Sequence, residues 1–310
     1  LNNSSYVHPD TRARVMAAVE ELSYRPNVLA RGLRRGKLNT IAVVIPKLSF
    51  SIFAEVVSGI EEEARKNGFS TMIINTGNDK TVEKESLIRL RDGFVDGMII
   101  ASTGANKRLI RDISMQMPVI QVIRETDPNI SSVVVDYVDI GYRAVKHLAE
   151  KGCAKIGLIN GSAEISPYAD RYKGYKKAIE ELGLPEITTE HTSKLKGIRY
   201  GYDSANQLLD GNMHLDAIMA ATDAQGIGVL RALKENGIRV PDDIRVLSMT
   251  GHRVGDMLET SLTSMELPGL EIGAQAAGMA IHAINADKKQ VNSLQHLSFK
   301  AVLAERETTM

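Results

Sequence analysis

The stretch Thr40-Ile41-Ala42-Val43-Val44-Ile45-Pro46 is an apolar run between a hydroxyl residue and a proline. Such a run is typical of a strand whose two faces are both buried. Strand and helix patterns alternate from there to residue 248. This alternation requires right-handed crossovers and parallel sheets that carry helices on both faces. The chain is long enough for two such sheets, so the predicted fold class is α/β with two doubly wound parallel-sheet lobes.

The individual elements follow from their periodicity and from the turn residues between them. We expect strands at 40–46, 70–75, 97–101, 119–123, 132–135, 156–160, 217–220 and 245–248. We expect helices at 53–67, 82–91, 107–115, 137–151, 171–182, 202–209 and 226–235.

The first residues of the chain show a different pattern, with apolar side chains at Val15, Ala18, Val19 and Leu22. This spacing predicts an amphipathic helix of about three turns, with Asp10 or Thr11 as its N-cap. One such helix is too small to bury its own apolar stripe. We therefore expect further helices to precede it, and the chain starts at a leucine without a methionine.

Between these two patterns lies the segment 24–37, in which five of fourteen residues are Arg or Lys and none is acidic. Pro26 and Asn27 favour a short helix that reaches Leu33, although Gly32 weakens it by about 1 kcal/mol relative to alanine. A helix this short needs a partner to order it, and its basic composition suits a phosphate backbone. A plain basic linker is the alternative that this segment alone leaves open.

The charges are distributed unevenly, although the net charge of the 310 residues is zero. Residues 1–37 hold seven Lys or Arg against three Asp or Glu, so the remainder holds 31 against 35. A basic arm on a neutral body is typical of nucleic-acid-binding proteins. The one cysteine, Cys153, excludes an internal disulfide, and the sequence shows neither a secretory signal nor an apolar run that could span a membrane. These features favour a cytoplasmic protein.

Several motifs resemble the lactose-repressor (LacI/GalR) family of bacterial transcription regulators, and the resemblance extends over the whole chain. The motifs are Leu1-Asn2-Asn3-Ser4-Ser5-Tyr6-Val7, Thr11-Arg12-Ala13-Arg14-Val15, Leu22-Ser23-Tyr24-Arg25-Pro26-Asn27 and Ala30-Arg31-Gly32-Leu33. The resemblance implies a remnant of a helix-turn-helix DNA-binding headpiece at 1–24, with most of its recognition helix absent, and a hinge helix at 25–38.

For the rest of the chain the resemblance implies two lobes like those of periplasmic sugar-binding proteins. The N-terminal lobe would comprise residues 39–150 plus 267–295, and the C-terminal lobe residues 151–266 plus 296–310. An effector would bind in the cleft between them, and two chains would form a homodimer.

In open parallel sheets a ligand lies beyond the carboxyl ends of the strands, so the residues that follow each strand are candidates for this site. Their carboxylates, guanidinium groups, hydroxyls and aromatic rings suit the binding of a polyol. The effector-binding candidates are Ser51, Ile52, Phe53, Arg124, Asp136, Tyr168, Arg171, Thr222, Asp223, Thr250 and His252.

Three of these candidates match positions that the family uses. Asp136 matches its binding aspartate in Val133-Val134-Val135-Asp136, Arg171 its effector-binding arginine before Gly174-Tyr175, and Thr222 a contact position before Asp223. Simpler interpretations stay open. Asp136 and Asp223 precede helices and would serve as N-caps, Arg171 would form a surface salt bridge at a helix start, and Phe53 would be ordinary core.

In the hinge, the resemblance places Leu33 at the position of a leucine that wedges into a central base step from the minor groove, with Ala30 beside it. A contact of Leu33 with the lobe below it is the alternative. The predicted DNA-binding residues are Asn27, Ala30, Arg31, Leu33, Arg34 and Arg35.

Two positions depart from the family pattern. Thr250 stands where the family commonly has a binding aspartate, and Leu267 stands before Pro268 where it often has glutamine. The expected sugar contacts thus lose a carboxylate and an amide, for which His252 or Arg253 are candidates to compensate, although a lone histidine in a loop more commonly faces solvent. An anionic effector such as a sugar phosphate becomes the better fit.

Signals of an enzyme are weak. The sequence has no Walker loop, no metal-spaced His/Cys cluster and no Gly-x-Ser-x-Gly elbow, and Gly226-Ile227-Gly228 is only a fragment of a dinucleotide fingerprint. We therefore predict no catalytic activity, cofactor or metal, but a ligand-responsive repressor of a carbohydrate-utilisation operon. Its partners would be operator DNA and a sugar or sugar phosphate, with a phosphocarrier protein left open as co-effector. The main alternative is a sugar-transport receptor, which would have a signal peptide and no basic hinge.

Overall fold

The computed structural model describes residues 8–21, 37–93, 95–189, 197–211, 214–251, 253–286 and 293–310. By its contacts the chain divides into two units, Leu1–Asn39 and Thr40–Met310. In the first unit the described residues include helix α1, Pro9–Glu21. A proline fits the first turn of a helix, where its missing N–H needs no partner. The helix therefore starts before Asp10 and Thr11, and the predicted N-cap at either residue is wrong.

The predicted DNA-binding residues of the hinge lie outside the described residues. Among the described residues, no helix is both long and apolar enough to cross a lipid bilayer.

The second unit alternates strands and helices as predicted. In chain order its elements are β1 (Thr40–Ile45), α2 (Ser51–Lys66), β2 (Ser70–Asn75), α3 (Lys80–Arg91), β3 (Gly97–Ile100), α4 (Lys107–Ser114), β4 (Val119–Val122), β5 (Ser132–Val135), α5 (Tyr137–Glu150), β6 (Ile156–Ile159), α6 (Ser166–Leu182), β7 (Ile187–Thr188), α7 (Gly197–Asp210), β8 (Ala217–Ala220), α8 (Asp223–Glu235), β9 (Arg245–Ser248), a short 3-10 helix (Arg253–Met257), β10 (Thr263–Glu266), α9 (Gly269–Asn285), β11 (His296–Phe299) and β12 (Val302–Ala304).

These strands form two sheets of the same design. The first has the order β11-β5-β4-β3-β1-β2 and the second the order β12-β10-β9-β8-β6-β7. All pairs are parallel except β10 with β12. In each sheet the strand order reverses beside the first strand, and ligands bind at such a switch point, beyond the carboxyl ends of the strands. The predicted fold class of two doubly wound lobes is confirmed.

Helices cross closely in this fold because glycines leave the space. A Cβ atom on Gly141 of α5 would lie 2.1 Å from the carbonyl oxygen of Arg171, and one on Gly174 of α6 would lie 2.0 Å from that of Val138. The backbones of α5 and α6 therefore touch, and this contact fixes the position of Arg171. The same arrangement joins α2 to α9 through Gly59 and Gly273, and α7 to α8 through Gly201 and Gly228.

The chain changes lobe at two places other than those expected. Helix α5 packs on α6 of the second lobe, and the Arg143 guanidinium donates to the Ala301 carbonyl oxygen (2.8 Å), so the change occurs near Asp136 and not at 150/151. Strand β11 pairs with β5 in the first sheet, so the predicted boundary at 295/296 comes too early. The chain passes to the second sheet between Phe299 and Val302. Apolar periodicity does not specify which sheet an element covers, which is why both boundaries were misplaced.

Several helices start earlier than their apolar patterns indicated, because polar residues make up their first turns. Helix α6 starts at Ser166 with Pro167 in its first turn, so Arg171 lies within the helix and not at its start. Helix α8 starts at Asp223 behind a capping box, in which Thr222 and Gln225 each bond the other's backbone N–H. The observed turn chemistry places the functional candidates on rigid helices.

Candidate functional site

A cavity of about 320 Å³ lies at the carboxyl ends of both sheets, and we call it the first chamber. Residues from both lobes form its wall, as the strand topology predicts. They are Leu48, Ser49, Phe50, Ser51, Ile52, Phe53, Ala54, Ile123, Arg124, Tyr137, Ile165, Pro167, Tyr168, Arg171, Thr222, Asp223, Ala224, Ile227, Thr250 and Val254. The structure thus brings together nine of the predicted effector-binding residues.

A second chamber of about 210 Å³ adjoins the first, because Phe50, Arg124, Ile165, Tyr168 and Thr222 line both. The other residues of its wall are mostly polar or glycine: Lys47, Asn75, Gly77, Asn78, Gly161, Ser162, Gly197, Tyr200 and Gln225. Asn75 ends β2 and Asn78 follows it, so both lie at the carboxyl end of this strand, where the rule of position places ligand contacts. Applying that rule to β2 would have found them.

Arg171 is the most unusual group in the first chamber, with a side chain only 3% exposed. Its guanidinium lies 4.4 Å from the ring centre of Tyr137 and 5.7 Å from that of Tyr168, so two aromatic faces hold it. Burial lowers the pKa of the Arg171 guanidinium, and the nearby Tyr137 opposes this shift. The buried Nε has no hydrogen-bond partner among the described residues. Such a donor costs about 1–3 kcal/mol, so a ligand atom is its expected partner.

Tyr137 was not among the sequence-based candidates, because its position within the first turn of α5 resembles that of a core residue. It is 4% exposed, and burial raises the pKa of its phenol, an effect that Arg171 opposes. Tyr168 is held from behind by Asn160, whose amide donates to the Tyr168 carbonyl oxygen at 3.0 Å. The Asn160 contact thus anchors the backbone that carries the Tyr168 ring.

Arg124 lies in the wall of both chambers and is 6% exposed. It donates to the Asn78 side-chain oxygen at 2.8 Å and to the Ser102 carbonyl oxygen at 3.3 Å, and both acceptors are neutral. Burial lowers the pKa of the Arg124 guanidinium. The preceding residue, Ile123, has a φ of +64°, which a β-branched residue rarely adopts. Strained backbone of this kind is concentrated at functional sites, where it directs side chains such as Arg124.

The segment after β1, including the start of α2, supplies two aromatic rings of the wall. Phe50 and Phe53 stack with their ring centres 6.5 Å apart, and the Phe53 ring lies 5.9 Å from the Arg124 guanidinium. Phe53 is 3% exposed and belongs to the main hydrophobic core as well as to the chamber. The functional and the core interpretation of Phe53 are therefore compatible.

The second lobe contributes a small polar cluster. The Asp223 backbone N–H donates to the Thr250 hydroxyl oxygen at 3.1 Å, and that hydroxyl donates to the Asp223 carboxylate at 3.4 Å. Thr222 caps α8 and accepts from the Gln225 N–H at 3.3 Å. Asp223, predicted as a possible N-cap, is instead the first residue of the helix, and it lines the chamber.

Of the two remaining candidates, Asp136 lies in the described part of the chain. Asp136 caps α5, because its carboxylate accepts from the Asp139 N–H at 2.9 Å, and no described cavity includes it. This is the N-cap role that its position before a helix left open. His252 lies outside the described residues. Leu267, which replaces a polar residue common in the family, is 7% exposed and belongs to the main core.

Two families match the chain along its length. Residues 38–300 match "Periplasmic binding proteins and sugar binding domain of LacI family", and residues 1–27 match "Bacterial regulatory proteins, lacI family". The chain belongs to the LacI family. This LacI-family chain is a ligand-responsive DNA-binding transcription regulator, as the sequence motifs predicted.

Named relatives agree with this assignment. Catabolite control protein A of Priestia megaterium is 30% identical over 291 residues, which cover 93% of the chain and 87% of that protein. The ribose operon repressor of Halalkalibacterium halodurans is 28% identical over 312 residues, which cover 100% of the chain and 91% of that protein. These LacI-family relatives are transcription regulators and not enzymes.

Among solved structures, a periplasmic binding protein/LacI transcriptional regulator from Alkaliphilus metalliredigens QYMF complexed with D-xylulofuranose is similar, with a TM-score of 0.77 and 27% identity. The match covers 88% of the LacI-family chain and 99% of that structure.

Proposed function

We propose that the protein is the repressor of a carbohydrate-utilisation operon and that a sugar or sugar phosphate binds in the first chamber as its effector. The observation that carries this proposal is the buried Arg171 guanidinium, whose Nε has no partner among the described residues. The family description refers to a sugar binding domain, a relative is a ribose operon repressor, and a similar structure holds D-xylulofuranose. These matches support a carbohydrate-derived effector.

In this proposal each side of the chamber has its own role. Arg171 and Arg124 donate hydrogen bonds to oxygen atoms of the effector, and Asp223 accepts from a hydroxyl. The ring of Phe53 packs against the C–H face of the ligand. Because Arg124 belongs to the first lobe and Arg171 to the second, one ligand contacts both lobes. A ligand that binds one arrangement of the lobes more tightly shifts the population toward that arrangement.

The DNA-binding part of the proposal rests on the basic segment of the sequence. Asn27, Ala30, Arg31, Leu33, Arg34 and Arg35 are proposed to contact operator DNA, with Leu33 in the minor groove. We further propose that the protein is cytoplasmic and that a homodimer presents two such segments. The edge of the first sheet supports this assembly, since Met72 and Ile73 of the edge strand β2 and Val82 of α3 are about 40% exposed, at 39%, 45% and 42%.

A thermal-shift screen of sugars and sugar phosphates tests the effector site. A ligand that binds only the folded protein raises Tm by mass action, and binding should be lost in Arg171→Gln. The matched control is Arg231→Gln, because the Arg231 side chain is 65% exposed and pairs with Glu235 of the same helix. Equal Tm increases in all three proteins would reject the first chamber as the effector site.

The regulatory role is tested by operator binding. In a gel-shift titration, the effector found above should change operator affinity in the wild type and not in Arg171→Gln. A phosphocarrier protein acting as co-effector would change that affinity only when it is added together with the small molecule. An effector that binds in the chamber without any change in DNA affinity would contradict the repressor proposal.

A further inference from the structure

The charges in the wall of the first chamber do not balance. Arg124 and Arg171 contribute two guanidinium groups, and within the described part of the chain Asp223 is the one carboxylate of the wall. Both arginine side chains are more than nine-tenths buried. A buried charge without a counter-charge is costly, and buried charges in proteins are normally paired.

Among the residues that the structure describes, neither arginine has a carboxylate as hydrogen-bond partner. Arg124 donates to the Asn78 side-chain oxygen and to a carbonyl oxygen, which are neutral, and the Arg171 Nε donates to no described group. The aromatic faces of Tyr137 and Tyr168 stabilise a cation only partly. The two guanidinium groups therefore retain the capacity to bind an anion from the ligand.

The described wall offers few of the carboxylates that a neutral sugar would need. The Asp136 carboxylate accepts from the Asp139 N–H and lines no described cavity. The Asp223 carboxylate accepts from the Thr250 hydroxyl at 3.4 Å and can accept from a ligand hydroxyl as well. The residue at 250 is itself a neutral threonine, 4% exposed. A neutral polyol would therefore find a single carboxylate among the described residues of the wall as acceptor for its several hydroxyl protons, and each unpaired hydroxyl is unfavourable when desolvated.

A large share of the wall is hydrocarbon. Ile52, Phe53, Pro167, Ile227 and Val254 come from four different segments and enclose the space in front of the arginines. A molecule with hydroxyls on every side is poorly matched to such a wall, whereas one with an apolar face buries that face favourably.

We infer that the effector is an obligate anion, a carboxylate or a phosphate ester with an apolar face, whose charge is held between Arg171 and Arg124. The uncharged parent sugar does not act as effector. This inference rests on the proposed function, because it takes the first chamber as the effector site and narrows the ligand class within it.

The first experiment compares matched ligands on the wild-type chain. Neutral sugars are screened by thermal shift beside their phosphate esters and their sugar acids, so that phosphate and carboxylate are separated with the carbon skeleton held constant. Inorganic phosphate is compared with chloride at equal ionic strength as the anion without a carbon skeleton. We expect anions to give the largest Tm increases, and inorganic phosphate to raise the Tm of the wild type but not of Arg171→Gln.

The second experiment changes the charge of the wall without changing its shape. Thr250→Asp restores a carboxylate, and Thr250→Asn is the matched neutral variant of the same size. Calorimetry should show that Thr250→Asp weakens binding of the anion by about tenfold or more relative to Thr250→Asn, because the new carboxylate competes for the guanidinium groups.

The outcomes separate this inference from the proposed function. A neutral sugar that binds more tightly than its phosphate and its acid, and loses affinity in Arg171→Gln, would overturn the inference and leave the effector site in place. Equal affinity of the anion for Thr250→Asp and Thr250→Asn would also overturn it. Binding of any ligand that is unaffected by Arg171→Gln would reject the chamber itself, and with it both proposals.

Discussion

The first lobe and the second lobe each bury a charged side chain near the carboxyl ends of their strands, and the two differ in how they are paired. Glu83 of α3 is 0% exposed, and its carboxylate accepts from the Ser102 and Thr103 hydroxyls, the Thr103 N–H and the Asn106 amide at 2.7–3.1 Å. Arg171 of α6 is buried to a similar degree, yet its Nε has no described partner. A fully bonded buried charge organises a loop, whereas an incompletely bonded one at a cavity is the mark of a ligand site.

The position of each group supports this distinction. Glu83 holds the loop after β3, and none of the described cavities includes it. The loop it holds carries the Ser102 carbonyl oxygen, which in turn accepts from Arg124. The first lobe thus uses its buried carboxylate to build one wall of the cleft, and the second lobe leaves its buried guanidinium available to the cleft.

The largest change in the free energy of unfolding is expected when the hydrogen bonds of Glu83 are removed. Glu83→Ala leaves four buried or half-buried donors without their acceptor, and we expect the free energy of unfolding to fall by about 3 kcal/mol. Denaturant unfolding measures this change. Glu85→Ala on the exposed face of the same helix is the control and should change stability by less than about 0.5 kcal/mol. Similar losses in both variants would mean that Glu83 acts only through helix propensity.

Removing the charge of Arg171 is expected to change the free energy of unfolding in the opposite direction. Arg171→Met keeps an unbranched apolar side chain of similar length and removes a buried cation, so without ligand the free energy of unfolding should rise by about 1–3 kcal/mol. The same variant should lose effector affinity by more than about tenfold, since charge-assisted hydrogen bonds contribute on the order of 1.5–3 kcal/mol. Thermal unfolding with and without effector measures both. A variant that is less stable than the wild type without ligand would show that Arg171 is structural.

The sequence alone predicted one side of this comparison. Arg171 was found because the family resemblance and the strand-end rule both indicated it, and the observed cavity includes it. Glu83 was not found, because a glutamate in an amphipathic helix looks like a solvent-exposed residue, and its partners Ser102 and Thr103 lie about twenty residues away. Contacts between distant segments are not visible in local periodicity.

The fold could be predicted from local sequence patterns, whereas details that depend on contacts between distant segments could not. Buried strands such as β1 are recognisable by their apolar composition, and their alternation with helices indicates parallel sheets. The side of the cleft on which α5 packs depends on the glycine contacts Gly141 and Gly174, which involve two helices at once. Asp136 shows the same limit, because an N-cap and a ligand contact have the same local sequence.

A smaller change in stability is expected when a carboxylate is placed beside the Arg124 guanidinium. Asn78→Asp is nearly isosteric, and aspartate tolerates the positive φ of +61° at this position. The carboxylate would pair with the Arg124 guanidinium and raise the free energy of unfolding by about 1 kcal/mol, because the pair is only partly shielded from water. Affinity for an anionic effector should fall in the same variant. Unchanged stability together with unchanged affinity would show that Arg124 is not short of a counter-charge.

The smallest change in stability is expected at His147. Its buried ring has one described hydrogen-bond partner, fewer than the Glu83 carboxylate has and more than the Arg171 Nε has. The Nε2 atom of His147 lies 3.1 Å from the Thr309 hydroxyl. Burial is the main cause that lowers the pKa of this imidazole. Glu305 and Glu150 oppose the shift, and Lys151 acts in the same direction as burial. A lowered pKa means that the folded protein binds the proton less readily than the unfolded chain does. The stabilisation is therefore present above the ordinary pKa of 6.5 and is lost as pH falls through the folded value.

Between pH values of about 8 and 5, acidification should cost the wild type more stability than it costs His147→Gln, because only the wild type has a titrating group at this position whose pKa is lowered by folding. Glutamine retains a group that can bond Thr309 but does not titrate. The exposed His282→Gln is the control and should follow the wild type. If His147→Gln lost as much stability on acidification as the wild type, the proton would not be excluded by burial at this position. In that case the Thr309 hydroxyl would stabilise a buried imidazolium cation far better than the aromatic rings stabilise the buried guanidinium of Arg171.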